Sequence, residues 1–299
     1  MVLKKLDELY LLAKKKQTSR LVVAAAQDKQ VLQAVSMASV RGIVEPILIG
    51  HEQQIKEICS DLKTDTSSFT IIHESDPAAA CYSAVSLIKD AKGDILMKGL
   101  VPTAPFLKAI LNNETGIKKD DLLSHLALFE IPGYHKLLAV TDAAMNIQPD
   151  VNEKVSIIRN AVDVFHRLGQ KNPKIAVIGP VEVVNQKIES TVHASMLTLM
   201  NRRGQISGCL IDGPLALDNA VNKEAAKHKG IHSDVAGDVD IILTPDLNSG
   251  NILYKSLIFL AGSISAAVVM GAASPVVLTS RADSDISKLM SIVLAAALK

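Results

Sequence analysis

The chain has 299 residues, 48% of them hydrophobic but only 3% aromatic, and no tryptophan. That length suits one large or two medium domains with an aliphatic core of Val, Ile, Leu and Ala, as in parallel strands covered by Ala/Leu helices. A formal net charge of +1, with dispersed Lys and Arg, gives no electrostatic footprint for nucleic acid, so any anion site is local.

Taken in chain order, the opening Leu3-Lys-Lys-Leu-Asp-Glu-Leu9 is amphipathic and lacks the apolar region of a signal peptide. Residues 21–25 read as a strand, followed by a helical pattern from Asp28. A strand at 43–50 precedes a helix at 53–60, and a short strand at 70–72 precedes an Ala-rich helix from Asp76 or Pro77 to Lys89. The strand at 94–97 ends in the loop Lys98-Gly-Leu-Val-Pro-Thr103, then a helix at 105–112. After the loop Ile131-Pro-Gly-Tyr-His135 the alternation restarts with a strand at 137–141, a polar loop at 142–149 and a helix at 151–168. Strands follow at 175–178 and 239–243, with a strand and turn at 208–214 and helices at 190–202 and 216–227 between them.

The next turn, Thr244-Pro-Asp-Leu-Asn-Ser-Gly-Asn251, joins a strand to a helix starting near Gly250. Such a turn offers backbone N–H groups and a helix N-terminus to an anion, and equally makes a well-capped turn. Residues 256–279 carry no charge, but Gly262, Ser263, Ser265, Gly271, Ser274 and Pro275 interrupt them. They read as a buried helix, a small-residue loop and a strand at 276–278 rather than a membrane span. In the last helix Ile286, Leu289, Met290, Val293 and Leu294 share one face. The βα alternation argues for a doubly wound sheet.

Polar loops follow strands at 98–103, 141–149, 212–214, 244–251 and 279–285. In a doubly wound sheet such loops converge on one crevice. No GxGxxG, GxxxxGK[ST], GxSxG or HExxH pattern is present, which argues against the usual dinucleotide fold, a P-loop, a hydrolase elbow and a zincin. Cys59, Cys81 and Cys209 are odd in number, lack metal-ligand spacing and have no neighbouring activating group. They fit reduced, packed thiols of a cytoplasmic protein.

Thr279-Ser-Arg-Ala-Asp-Ser-Asp285 is the strongest chemical constellation. Arg281 offers a planar fork for two phosphate oxygens, Ser280 a hydroxyl donor, and Asp283 or Asp285 a proton acceptor. The same residues suit a helix start, with Asp283 or Ser284 as N-cap and Asp285 favouring the helix dipole. Lys98, Gly99 and Thr103 place a cation, a flexible backbone position and a hydroxyl after a strand, or else a solvated lysine and a cap. Asp142 opens a segment that also suits an Asx turn.

Together these loops carry a resemblance. Thr141-Asp-Ala-Ala-Met-Asn-Ile-Gln-Pro149, Ile211-Asp-Gly-Pro-Leu-Ala-Leu-Asp218, Pro245-Asp-Leu-Asn-Ser-Gly-Asn-Ile-Leu-Tyr-Lys255 and Ser280-Arg281 resemble the phosphate acetyltransferase/phosphate butyryltransferase family, from about Leu21 to the C-terminus. Met97-Lys-Gly-Leu-Val-Pro-Thr103 and Thr279-Ser-Arg-Ala-Asp-Ser284 look closer to the butyryl branch.

The resemblance implies two α/β/α domains of the isocitrate/isopropylmalate dehydrogenase-like kind, with the active site in the cleft between them. Residues 1–136 and 275–299 would form the first domain and 137–274 an inserted second one. It implies reversible acyl transfer between coenzyme A and inorganic phosphate by direct attack, with no metal and no cofactor besides coenzyme A as substrate. Ser280, Arg281 and Asp283 are the expected catalytic residues. Lys98, Gly99, Thr103, Asp142, Asn251 and Asp285 are the expected substrate contacts. Ungapped alignment puts Ser287 where the acetyl branch carries its presumed basic Asp, so the base is either Asp283 or Asp285. The implied partners are acyl-CoA and phosphate, with no nucleic acid and no membrane, and the protein would be a homodimer or higher homo-oligomer. Competing readings are a phosphate acetyltransferase, a metal-dependent dehydrogenase of similar fold, and a non-catalytic coenzyme A-binding domain.

Overall fold

The computed structural model describes residues 2–280 and 283–299. Two compact units emerge: a central one, Asp121–Ser265 with the N-terminal segment up to Leu6, and a discontinuous one, Asp7–Asp120 with Ala266–Lys299. Both divisions fall earlier in the chain than the expected boundaries after residues 136 and 274. Strand pairing explains why. A cut after 136 would separate Ser124–Glu130 from its antiparallel partner Leu138–Thr141. A cut after 274 would separate Val269 from its antiparallel partner Val276.

The discontinuous unit begins with α1 (Glu8–Lys14), β1 (Ser19–Ala24), α2 (Lys29–Val40), β2 (Val44–Gly50), α3 (Glu52–Asp61), β3 (Thr70–His73), α4 (Pro77–Lys89), β4 (Ile95–Lys98) and α5 (Thr103–Ile110). The central unit holds β5 (Ser124–Glu130), β6 (Leu138–Thr141), α6 (Val151–Arg167), β7 (Lys174–Ile178), α7 (Glu189–Arg202), β8 (Leu210–Leu215), α8 (Leu217–Val221), α9 (Lys223–His228), β9 (Ile241–Leu243) and α10 (Leu247–Phe259). The chain closes with β10 (Ile264–Met270), β11 (Val276–Val277) and α11 (Asp285–Ala297).

In the discontinuous unit the strand order is β3-β2-β1-β4-β11-β10. β1 to β4 and β11 are mutually parallel along this order, and β10 is antiparallel to β11. Strands covered on both faces read as unbroken apolar runs, as in the fully buried Leu21, Val22, Val23 and Ala24. Short polar residues start the helices. Asp28 accepts from the N–H groups of Gln30 and Val31, and Asp76 caps α4 with Pro77 in its first turn.

The last helix departs from its expected one-sided stripe. Every residue of α11 from Ser287 to Ala297 is buried, while Ile286 is 51% exposed. The helix packs on both α1 and α2, and its small Ala and Ser positions let neighbours approach its second face.

The central sheet runs β5-β6-β9-β7-β8, parallel except for β5. Asp150 and Glu153 form a capping box at the start of α6. The expected helix at 216–227 is two helices. Asn222 breaks it by capping α9, accepting from Glu224 and Ala225 N–H. α10 begins at Leu247 rather than near Gly250, because Asp246 caps it through the Ser249 N–H at 2.8 Å. The expected buried helix after residue 256 is also revised: α10 ends at Phe259, and the charge-free run continues as β10, whose residues from Ser265 to Met270 are buried. Among the described residues no helix is long and apolar enough to cross a membrane.

Candidate functional site

Within the discontinuous unit, β4 and β11 lie side by side and parallel, with Val277 opposite Met97. The loops that follow them therefore leave the same edge of the sheet, the carboxyl edge at which open α/β sheets bind ligands. This register brings the loop containing Lys98, Gly99 and Thr103 to the edge that carries Ser280, Asp283 and Asp285.

Lys98 ends β4 as a buried residue. Its Nζ donates to the carbonyls of Gly99 at 3.2 Å and Val101 at 3.0 Å, which curls the loop over the strand end. Gly99 follows at a point of close backbone approach. Its N–H donates to Ala24 O at 2.8 Å, and a Cβ there would stand 2.2 Å from Ala25 O. Only glycine fits such a crossing. Thr103 is exposed as the first residue of α5, whose N-cap, Pro102, supplies no side-chain acceptor.

Ser280 and Asp283 are joined by two hydrogen bonds. The Ser280 N–H donates to Asp283 Oδ2 at 2.7 Å, and the Asp283 N–H donates to Ser280 O at 3.2 Å. Ser280 is exposed and Asp283 buried. Of the alternative caps it is Ser284 that starts α11, accepting from the Ser287 N–H at 3.1 Å. Asp285 is half-buried in the first helical turn, where the helix dipole favours its charge. Arg281 lies outside the described residues.

A residue that sequence reasoning missed sits against this pair. Lys288 is only 2% exposed, and its Nζ donates to Asp283 O and, at 3.0 Å, to Gln30 Oε1 on α2. Burial pushes this ammonium below the ordinary lysine range, while Asp283, Asp28 and Asp285 oppose that shift. No local pattern marks it: on the helix it falls opposite the Ile286, Leu289, Met290, Val293 and Leu294 stripe, beside Ser284, Asp285 and Ser291.

The central unit gathers Asp142 and Asn251. The Asp142 carboxylate is buried and accepts four hydrogen bonds: Oδ1 from the N–H groups of Ala144 and Met145, Oδ2 from the His125 N–H and from Asn146 Nδ2. It organises its own loop, the arrangement expected of an Asx turn. Thr244 Oγ1 donates to Asp142 O at 3.1 Å, and Asn251 Nδ2 donates to Ala143 O at 3.2 Å. Gly250 lets α10 come this near, since a Cβ there would meet Asp142 O at 2.3 Å. The loop at 244–251 and the loop at 141–146 are thus one packed assembly. Asp212-Gly-Pro214, expected as a loop, lies within β8.

All three cysteines are buried and free. Burial raises each thiol, Cys81 and Cys209 to about 11, so none is a ready thiolate. His51 and His73 each accept an α3 N–H through Nδ1 and serve as helix caps. Among the described residues no group of three His, Cys, Asp or Glu side chains is arranged to hold a metal ion.

Comparison with known proteins adds an independent line. The family model described as phosphate acetyl/butaryl transferase matches residues 6–80 and 76–296. A phosphate butyryltransferase from Clostridium beijerinckii is 46% identical over 293 residues, covering 98% of this chain and 97% of that protein. The crystal structure of a branched-chain phosphotransacylase from Enterococcus faecalis V583 superposes with a TM-score of 0.82 at 32% identity, covering 94% of this chain and 99% of its own. A 4-hydroxythreonine-4-phosphate dehydrogenase from Klebsiella pneumoniae shares the fold alone, with a TM-score of 0.57 at 13% identity over 94% of this chain and 99% of its own. The expected dehydrogenase-like α/β class is borne out by these folds. With a family model matched over nearly its whole length and a relative at 46% identity, the chain belongs to the phosphate acetyl/butaryl transferase family.

Proposed function

We propose that this protein transfers a short-chain acyl group reversibly between coenzyme A and inorganic phosphate: butanoyl-CoA + phosphate = butanoyl phosphate + CoA. The observation that carries the proposal is the β4–β11 register, which brings the Lys98 loop and the Ser280–Asp283 pair to one sheet edge. Family membership and the butyryltransferase relative at 46% identity support the butanoyl substrate. The family description includes acetyl transfer, and the Enterococcus protein is a branched-chain phosphotransacylase, so acetyl and branched acyl groups belong in the same assay.

In this reading a phosphate oxygen attacks the thioester carbonyl. The new C–O bond forms as the C–S bond breaks, and coenzyme A leaves with the electron pair on sulfur and takes up a proton. Arg281 balances and orients the phosphate, and Ser280 donates to the developing oxyanion or to the sulfur. In the reverse direction Asp283 accepts the thiol proton as sulfur attacks, with Asp285 the alternative base. Lys98, Gly99 and Thr103 contact substrate from the β4 loop. Asp142 and Asn251 hold the loop backbone that meets coenzyme A. No resident cofactor or metal takes part.

The protein works as a cytoplasmic homodimer or higher homo-oligomer. In support, Ile252 and Phe259 of α10 and Leu260 just beyond it are exposed, large apolar side chains of the kind found at association surfaces. Incubation with butanoyl-CoA should release free thiol only when phosphate is present. Release without phosphate, or none with any short-chain acyl-CoA, would sink the proposal.

A further inference from the structure

We infer that Lys288 is a positioning residue for the phosphate end of this site: its ammonium holds the Asp283 carbonyl, and with it the hydrogen-bonded Ser280–Asp283 pair, and ties them to α2 through Gln30. The inference rests on the reading that Ser280 serves the transfer chemistry.

The geometry forms a continuous chain of hydrogen bonds. The Ser280 N–H is held by the Asp283 carboxylate, the Asp283 carbonyl by Lys288 Nζ, and Lys288 Nζ by Gln30 Oε1. Asp283 is therefore held through its carboxylate and N–H toward Ser280 and through its carbonyl toward the helix. The chain joins segments far apart in sequence, since Gln30 follows β1 and Lys288 lies in the last helix. All of its members belong to the discontinuous unit.

Burying an ammonium is costly, and here specific acceptors offset the cost. An apolar side chain of similar length would avoid desolvating an ammonium, but it would leave the Asp283 carbonyl and Gln30 Oε1 without this donor, so Lys288→Met carries a stability cost that melts register separately from the kinetics. What an apolar replacement cannot do is hold the Asp283 carbonyl. Burial lowers this ammonium, and the nearby Asp283, Asp28 and Asp285 oppose that shift.

The test compares Lys288→Met, Gln30→Met and Ser280→Ala with the wild-type chain, using butanoyl-CoA and phosphate in steady-state kinetics and thermal melts for folding. For folded Lys288→Met, the phosphate KM should rise about tenfold while the butanoyl-CoA KM stays within about twofold, because a displaced phosphate-binding group weakens phosphate binding and leaves the acyl-CoA contacts in place. Gln30→Met, which keeps the ammonium–carbonyl contact, should shift the phosphate KM in the same direction by about threefold. A merely structural role would move both KM values together or neither. Either of those results in folded Lys288→Met overturns the inference. Should Lys288→Met fail to fold, the same split in Gln30→Met decides. Ser280→Ala separates the two levels of the argument. If it leaves kinetics unchanged, the site reading itself falls. If it impairs transfer while Lys288→Met does not, only the role of Lys288 falls.

Discussion

Replacing Asp142 by Asn distinguishes a residue that builds a loop from one that binds a ligand. The carboxylate is buried and takes two donors on each oxygen: Ala144 N–H at 2.8 Å and Met145 N–H at 3.0 Å on one, His125 N–H at 3.1 Å and Asn146 Nδ2 on the other. An amide turns one of those oxygens into an NH2 group that accepts nothing. Whichever way it faces, two donors lose their acceptor, at about 1–3 kcal/mol each, or roughly 2–6 kcal/mol in total. Set against a typical domain stability of about 5–15 kcal/mol, that is a large share. Urea unfolding followed by circular dichroism should show a clearly lower midpoint for Asp142→Asn. Amide exchange at Ala144 and Met145 should quicken by at least roughly 30-fold, the factor that corresponds to about 2 kcal/mol. An unchanged midpoint with a raised acyl-CoA KM would refute this reasoning and make the carboxylate a ligand contact.

Three further outcomes follow from the geometry. Gly99→Ala drives a Cβ to within 2.2 Å of Ala25 O and 2.8 Å of Ala24 O, both rigid backbone; the strain and the lost Gly99–Ala24 hydrogen bond should cost about 2–4 kcal/mol in calorimetry, and a variant as stable as wild type would contradict it. Burial alone would raise the Asp238 carboxyl, but hydrogen bonds from Lys174, Lys136 and His135 outweigh it and hold the group well below the usual carboxylate range. Because the folded pKa is depressed, this stabilisation is present above the unfolded value of about 4 and fades as pH falls below it; Asp238→Asn should flatten the acid limb of the stability curve, and an unaltered slope would exclude the network as its source. With Cys59, Cys81 and Cys209 buried and their thiols raised, a disulfide-exchange reagent should find no rapidly reacting protein thiol until denaturant is added; prompt labelling of any one in the native state would show the burial to be wrong.

Much of the fold was legible because parallel strands covered on both sides leave uninterrupted apolar runs, as at Leu21–Ala24 and Ile241–Leu243, and because Asp28, Asp76 and Asp150 announce their helices. β5 stayed hidden because it opens with Ser124 and His125, polar residues that are nevertheless buried. β10 was obscured by Ala266, Ala267 and Met270, which suit a helix equally well, although its antiparallel partner lies close in sequence, with Val269 opposite Val276. The site was legible as loops rather than as roles. A short polar side chain after a strand looks alike whether it holds a ligand or its own backbone, and Asp142 holds backbone. Lys288 could be read only in three dimensions, since its second acceptor, Gln30, comes from the other end of the chain.

The central claim is most directly tested by 31P NMR of the protein with butanoyl-CoA and inorganic phosphate. An acyl-phosphate resonance should grow as the phosphate signal declines, with one free thiol released for each acyl phosphate formed. Thiol release with no acyl-phosphate signal would make the protein a thioesterase and contradict the account.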